Sequence, residues 1–154
     1  MPPLTTGLNT TEQATAILDA LRAQLPALGA ARITRGHLWQ IPDRPCAVLL
    51  GPTIDMGTLS IGREEAQYHW ALLIARDVAD SDRRADLLDT WADLAMATLM
   101  DLSRTTDTFS IQGGEGPDRV EDDSLVQLLE RVPERIDAVL IRWSTRREIC
   151  PPPC

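Results

Sequence analysis

Residues 66–75, AQYHWALLIA, constrain this chain more than any other stretch, because they are largely apolar on both sides of a two-residue repeat. Tyr68, Trp70, Leu72 and Ile74 fall on one face, and His69, Ala71, Leu73 and Ala75 on the other. A strand wetted on one side alternates apolar with polar residues, whereas a strand apolar on both sides has to be covered on both. The stretch is therefore a central strand, and the rest of the chain must supply its neighbours and its cover. The 154 residues suit a single domain, 1–154, with a real core. Only 4% of them are aromatic, so Leu, Ala, Val and Ile must provide most of the buried area.

Cover comes from two helical patterns. After the central strand, Ser81 or Asp82 can cap a helix with a buried stripe of Leu87, Leu88, Trp91, Leu94, Ala95, Thr98, Leu99 and Leu102. Arg83, Arg84, Asp86, Asp89 and Asp93 face outward on it. An earlier helix opens where Thr10 and Gln13 have capping-box spacing. It continues through Ala14, Ile17, Leu18, Leu21 and Leu25 and stops at Pro26 and Gly29.

Neighbouring strands are read in ARITRGHLW and CAVLLG, which Pro42 and Pro45 keep from pairing continuously across the loop between them. GPTIDMGTLSIG, with three Gly and one Pro, reads as an extended loop or hairpin tip. TDTFSIQ reads as a short strand, GGEGPDRVEDD as a mobile acidic loop, SLVQLLER as a short helix or strand, and RIDAVLIRWSTRREI as the last strand. Residues 1–9 form an extended N-terminal arm and 149–154 a C-terminal tail. The expected fold is α+β, a small mixed sheet of about four to six strands with an N-terminal helix and one long helix packed on it.

A net charge of −8 argues against a general binder of nucleic acid or anionic membrane, since those partners attract a basic face. It leaves room for a protein that lets DNA slide past. All 15 basic residues are Arg, which GC-rich coding explains most simply, with bidentate pairing at interfaces as the second explanation. No run reaches the roughly 20 apolar residues of a membrane span, and MPPLTTGLNTTEQ lacks the regions of a signal peptide, so a soluble intracellular protein is expected. Cys46, Cys150 and Cys154 make an odd set unlike a secreted disulfide scaffold. A structural or redox pairing of Cys150 with Cys154 is the lesser reading. His37 and His69 are isolated, and a single Cys pair is a poor ligand set without a second.

Reactive groupings are equally sparse. The Gly-rich IQGGEGPDR lacks the G-x-x-x-x-G-K-[ST] signature, and its acidic neighbours would repel a phosphate. Glu121, Asp122 and Asp123 suit a solvated turn and helix N-terminus better than a cation site. Asp19, Asp77, Asp101 and His69 offer a nucleophile no evident partner, and Ser60, Ser103, Ser110 and Ser124 sit in no nucleophile elbow. His69 reads as a satisfied core or interface imidazole, and Trp39, Trp70, Trp91 and Trp143 as core and interface anchors. The expectation is a non-enzyme without metal or cofactor. A monomeric small-molecule module and a hydrolase built on Asp77 or His69 are the rival classes.

Taken in order, TTEQATAILDALRAQL, RITRGHLWQIPDRPCAVLLGP, TIDMGTLSIG, YHWALLIARDVADSDRRADLLDTWADLAMATLMD and AVLIRWSTRREI resemble the tail terminator and minor tail proteins of long-tailed bacteriophages. The resemblance covers most of the chain and lies in layout rather than in an invariant motif. It implies a mixed sheet with packed helices, no catalysis, and a homo-oligomer in the form of a hexameric ring that caps the tail tube. The implied partners are the tail tube protein and the head-side connector or stopper, with DNA passing through the lumen without sequence-specific binding and no membrane. The implied location is the tail or neck of the virion, after assembly in the host cytoplasm. Head-completion and connector proteins share the layout and stay open as alternatives. On this reading the stretches 53–62 and 113–123 meet neighbours or line the opening, which singles out Asp55, Met56, Glu115, Asp118, Glu121, Asp122 and Asp123.

Overall fold

The computed structural model describes residues 5–6, 9–36, 45–60, 63–77, 83–105, 110–119 and 136–149. Its order is β1 (Thr5–Thr6), α1 (Thr10–Gln24), two 3-10 turns (Pro26–Leu28 and Ala30–Arg32), β2 (Ile33–Arg35), β3 (Cys46–Ser60), β4 (Arg63–Asp77), α2 (Arg83–Thr105), β5 (Ser110–Arg119) and β6 (Ile136–Ile149). The α+β expectation holds: the strands join into one mixed sheet in the order β1-β6-β4-β3-β2, with β5 also on β6.

Residues 66–75 sit at the middle of that sheet, as their two apolar faces require. β4 is antiparallel to β3 on one side and to β6 on the other, and the β6 register runs unbroken from Glu64↔Ile149 to Asp77↔Ile136. Because β4 occupies one edge of β6 throughout, β1 and β5 follow each other along its other edge, at Thr5↔Ile149 and Thr6↔Glu148 and then from Ser110↔Arg146 to Arg119↔Val139. β2 is parallel to β3, pairing Ile33, Thr34 and Arg35 with Ala47, Val48 and Leu49.

Both helices cover the same face. Ile17 and Leu21 of α1 and Leu88, Trp91, Ala95 and Leu99 of α2 are buried in one cluster with Ala66, Tyr68, Trp70, Leu72 and Ile74 of β4 and Val139, Ile141 and Trp143 of β6. Burial of this area is the main force holding the layers together. The other face carries a smaller buried cluster of Cys46, Val48, Leu73, Ala75, Ala138 and Leu140. Arg22 pins the end of α1 to the sheet by donating from Nη2 (2.9 Å) and Nε (3.2 Å) to the carbonyl of Ile33.

Three local expectations need correction and a fourth is narrowed. The capping box of α1 is Asn9 with Glu12, not Thr10 with Gln13: the Asn9 carboxamide accepts from the Glu12 amide at 2.8 Å, and the Glu12 carboxylate accepts from the Asn9 amide at 3.2 Å. Gln13 points inward instead and is buried. In α2, Ala92 belongs to the buried stripe while Leu94 is exposed, because contact is centred on the 88, 91, 95, 99 line and Leu94 lies on its flank. For residues 51–60 the extended-loop alternative gives way to the hairpin: they are strand paired with β4 out to Ser60↔Arg63, despite their glycines. Residues 113–119 likewise belong to β5. The expected caps Ser81 and Asp82, the SLVQLLER segment, His37, Trp39 and the Cys150 and Cys154 pair lie outside the described residues.

Candidate interface on the outer hairpin arm

The arm is made by a break in register. From Cys46↔Ala75 to Leu50↔Ala71 the β3 and β4 pairing is regular, then it resumes at Thr53↔His69 with one extra residue in β3. A one-residue slip exchanges the faces of a strand. Before the bulge, Ala47 and Leu49 face the helices; beyond it, Ile54 and Met56 do, opposite Tyr68 and Ala66. Gly51 makes the bulge possible. Its φ is +102°, and a Cβ there would lie 2.9 Å from the carbonyl oxygen of His69. Arg35 caps the bulge by donating to the Gly51 carbonyl (Nη2 3.2 Å, Nε 3.4 Å), with its guanidinium carbon 5.7 Å from the centre of the Trp70 ring.

Beyond the bulge the two faces differ sharply from those of the inner sheet. Ile54 and Met56 are 45% and 55% exposed even though they lie on the helix side. On the opposite face, apolar cover gives way to polar pairs. His69 Nε2 is 2.8 Å from Asp55 Oδ2, Arg146 Nη1 is 3.6 Å from Glu65 Oε1, and the Gln67 amide donates to Ser144 Oγ at 3.4 Å. Of the core and interface readings of His69, the core one is excluded: the side chain is exposed and within hydrogen-bonding distance of Asp55. Its partner Asp55 sits two residues along from its strand-pairing position, on the same face. Sequence reading missed the pair because the residues are 14 apart and the bulge that brings them to one face is not marked by periodicity.

Under this arm lies a buried polar triangle. Trp70 Nε1 donates to Thr145 Oγ1 at 3.1 Å and to Gln13 Oε1 at 3.2 Å, and the Thr145 hydroxyl donates to the same Gln13 oxygen. It ties α1, β4 and β6 together where the arm leaves the core. The indole nitrogen of Trp143 and Nε of Arg147 are buried without a hydrogen-bond partner among the described residues.

Of the residues singled out from sequence, Asp55 and Met56 lie in β3 and are exposed on opposite faces. Glu115 and Asp118 stand in β5 opposite Arg142 and Leu140, with register shifts at Gln112/Gly114 and Glu115/Asp118. Glu121, Asp122 and Asp123 lie outside the described residues. The arm and the acidic strand are on opposite sides of β4 and β6 in the sheet order, so these positions do not form one cluster.

Among the described residues no group of three or more His, Cys, Asp or Glu side chains is placed to hold a metal ion, and Cys46 is buried. No helix among them is long and apolar enough to cross a membrane. An open cleft between the helices is lined by small and apolar residues, including Ala20, Ala23, Leu94 and Ala97, with Gln24 and Asp101 also in its wall.

No protein-family model matches the chain, and no curated protein does. Among solved structures, the chain is similar to one from the virion of a native gene transfer agent particle, at 12% sequence identity and a TM-score of 0.46, over 88% of this chain and 93% of that one.

Proposed function

We propose that the chain is a non-enzymatic structural subunit of a phage-type virion, a tail-terminator-like protein that assembles as a ring at the head end of the tail tube. The observation that carries this is the outer hairpin arm. Residues 53–57 are exposed on both faces of the sheet, and two large apolar side chains, Ile54 and Met56, stand in water on a strand held in firm register by β4. A rigid projecting strand with apolar contacts suits assembly better than chemistry. The polar groups beside it are engaged with one another across strands. They are not gathered around a cavity, as a reaction centre needs.

On this reading the tail tube protein and a head-side connector are the partners, and an acidic chain lets DNA through the ring without gripping it. Electron micrographs of the purified protein, read with its mass in solution, test the proposal. Rings of uniform diameter are expected. A homogeneous monomer at high concentration would overturn it and favour a small ligand-binding module, for which the cleft between α1 and α2 is the place to look.

A further inference from the structure

Among the described residues, β3 beyond residue 50 has a strand on one side only. β2 ends at its pairing with Leu49, and among the described residues nothing pairs with the other edge of β3 along the arm. Open edges are templates for further pairing, and proteins usually blunt them with bulges, proline or charge. β5 is blunted in this way: it carries two register shifts, and its sequence SIQGGEGPDR contains Pro117 and three glycines. β3 carries such devices only at the two ends of the arm, where Pro52 stands in the shift at Leu50/Thr53 and a second shift falls at Thr58/Ser60. Between them, from Thr53↔His69 to Thr58↔Glu64, the register is unbroken and Asp55 is the only charge.

We propose that this edge pairs with the same edge of a second copy of the chain, antiparallel about a two-fold axis at Met56. In such a pair, opposed residues share a face. An axis at Met56 sets the two Met56 residues opposite each other and Ile54 opposite Thr58 on the helix side, so the exposed apolar side chains of both copies cover one another. On the other face Asp55 falls opposite Gly57, where an added side chain would meet nothing within 4 Å. An axis at Asp55 would instead oppose two carboxylates, which is unfavourable for directly facing like charges. An axis at Gly57 would separate the two methionines. Asp55 is already held by His69 of its own chain, which keeps the carboxylate on its own side of the seam.

A two-fold contact uses one patch on both copies, so it cannot by itself close a larger ring, which needs a head-to-tail surface. The pairing draws on the same exposed arm as the ring reading but has a different symmetry, so variants of the arm score the pairing and micrographs score the ring. Met56 is exposed, so Met56→Glu should leave the far-UV circular dichroism unchanged while opposing two carboxylates across the seam. Sedimentation should then show self-association weakened by about tenfold or more. Met56→Cys should give a covalent dimer on mild oxidation, far above the background from the native cysteines. Thr53→Cys, well away from its own symmetry mate, should not. Unchanged association of Met56→Glu, or equal cross-linking at positions 53 and 56, would overturn the pairing. A chain monomeric at every concentration would overturn the pairing and the ring reading together, whereas rings that persist in Met56→Glu with unchanged association would overturn the pairing alone. Micrographs of the same variants score the ring separately.

Discussion

The indole nitrogen of Trp70 and the hydroxyl oxygen of Thr145 lie 3.1 Å apart on neighbouring strands, and the side-chain oxygen of Gln13 from α1 accepts a hydrogen bond from each. All three residues are buried. In that setting a lost partner leaves a polar group without water, which costs more than the bond contributes.

Trp70 and Trp143 therefore make an internal comparison. They pair directly across β4 and β6, both are buried, and only the Trp70 nitrogen has a partner among the described residues. Trp70→Phe should cost about 1 to 3 kcal/mol more than Trp143→Phe in urea unfolding, since the second change removes a buried group that had no bond to lose. Trp70→Ala and Leu72→Ala should each cost about 2 to 5 kcal/mol by opening cavities under the helices. Equal costs for the two Phe variants would mean that the triangle adds nothing.

Gly51→Ala tests the bulge. An added Cβ meets the His69 carbonyl oxygen at 2.9 Å, and φ of +102° is a region that side chains avoid. The expected loss is about 1 to 3 kcal/mol. The register slip that puts Ile54 and Met56 on the helix side depends on this residue, so amide exchange along residues 53–58 should quicken as well. A variant as stable as the parent, with unchanged exchange, would show that the bulge forms without a glycine.

How much of this was legible in the sequence depends on whether local pattern or remote pairing decides each element. The strand at 66–75 and the helix around Trp91 announce themselves, because both bury regular stripes. Local spacing puts the cap of α1 one residue late, because Thr10 and Gln13 mimic the spacing that Asn9 and Glu12 fill. The side chain of Gln13 is committed to Trp70, 57 residues away, which no local rule reveals. The Gly and Pro of residues 51–60 suit a loop as well as a hairpin tip, and those of 113–119 suit a loop. Both segments are strands because β4 and β6 hold them, a tertiary override of local propensity. Leu94 reads as core from sequence because an apolar residue near the stripe is indistinguishable from one on its edge without the partner surface.

The Asp55 and His69 pair should matter little for stability. Their side chains are 72% and 43% exposed, and exposed ion pairs are weakened by solvent screening. A double-mutant cycle with Asp55→Asn and His69→Gln should give a coupling under about 0.5 kcal/mol, falling further in high salt. A coupling above about 1.5 kcal/mol would show the arm to be shielded from water in the free protein.

Removing residues 113–118 should damage the fold rather than merely trim a loop. The segment supplies most of β5, including the positions opposite Trp143, Arg142 and Leu140 of β6. Loss of that strand uncovers an edge of β6 and its backbone hydrogen-bonding groups. The deletion variant should unfold at lower temperature and aggregate at concentrations where the parent stays clear. A deletion variant with the parent's melting temperature would mean that β5 is an ornament on the sheet.

The acidic balance gives the last prediction, which rests on the ring reading. With a net charge of −8, a channel rimmed by Glu115, Asp118, Glu121, Asp122 or Asp123 would repel the phosphate backbone and keep DNA from adhering as it passes. Converting three of them, Glu121, Asp122 and Asp123, to Arg changes the charge of each subunit by six, since each reversal contributes two. Rings should still form, because charge at the channel wall does not make the subunit contacts. Affinity for duplex DNA should rise, and it should fall steeply with added salt in proportion to the phosphates newly contacted. Ejection of DNA from particles carrying the variant should slow. Rings with these reversals whose affinity for DNA at low salt equals the parent's would place the acidic residues away from the DNA path and leave their charge a role in solubility alone.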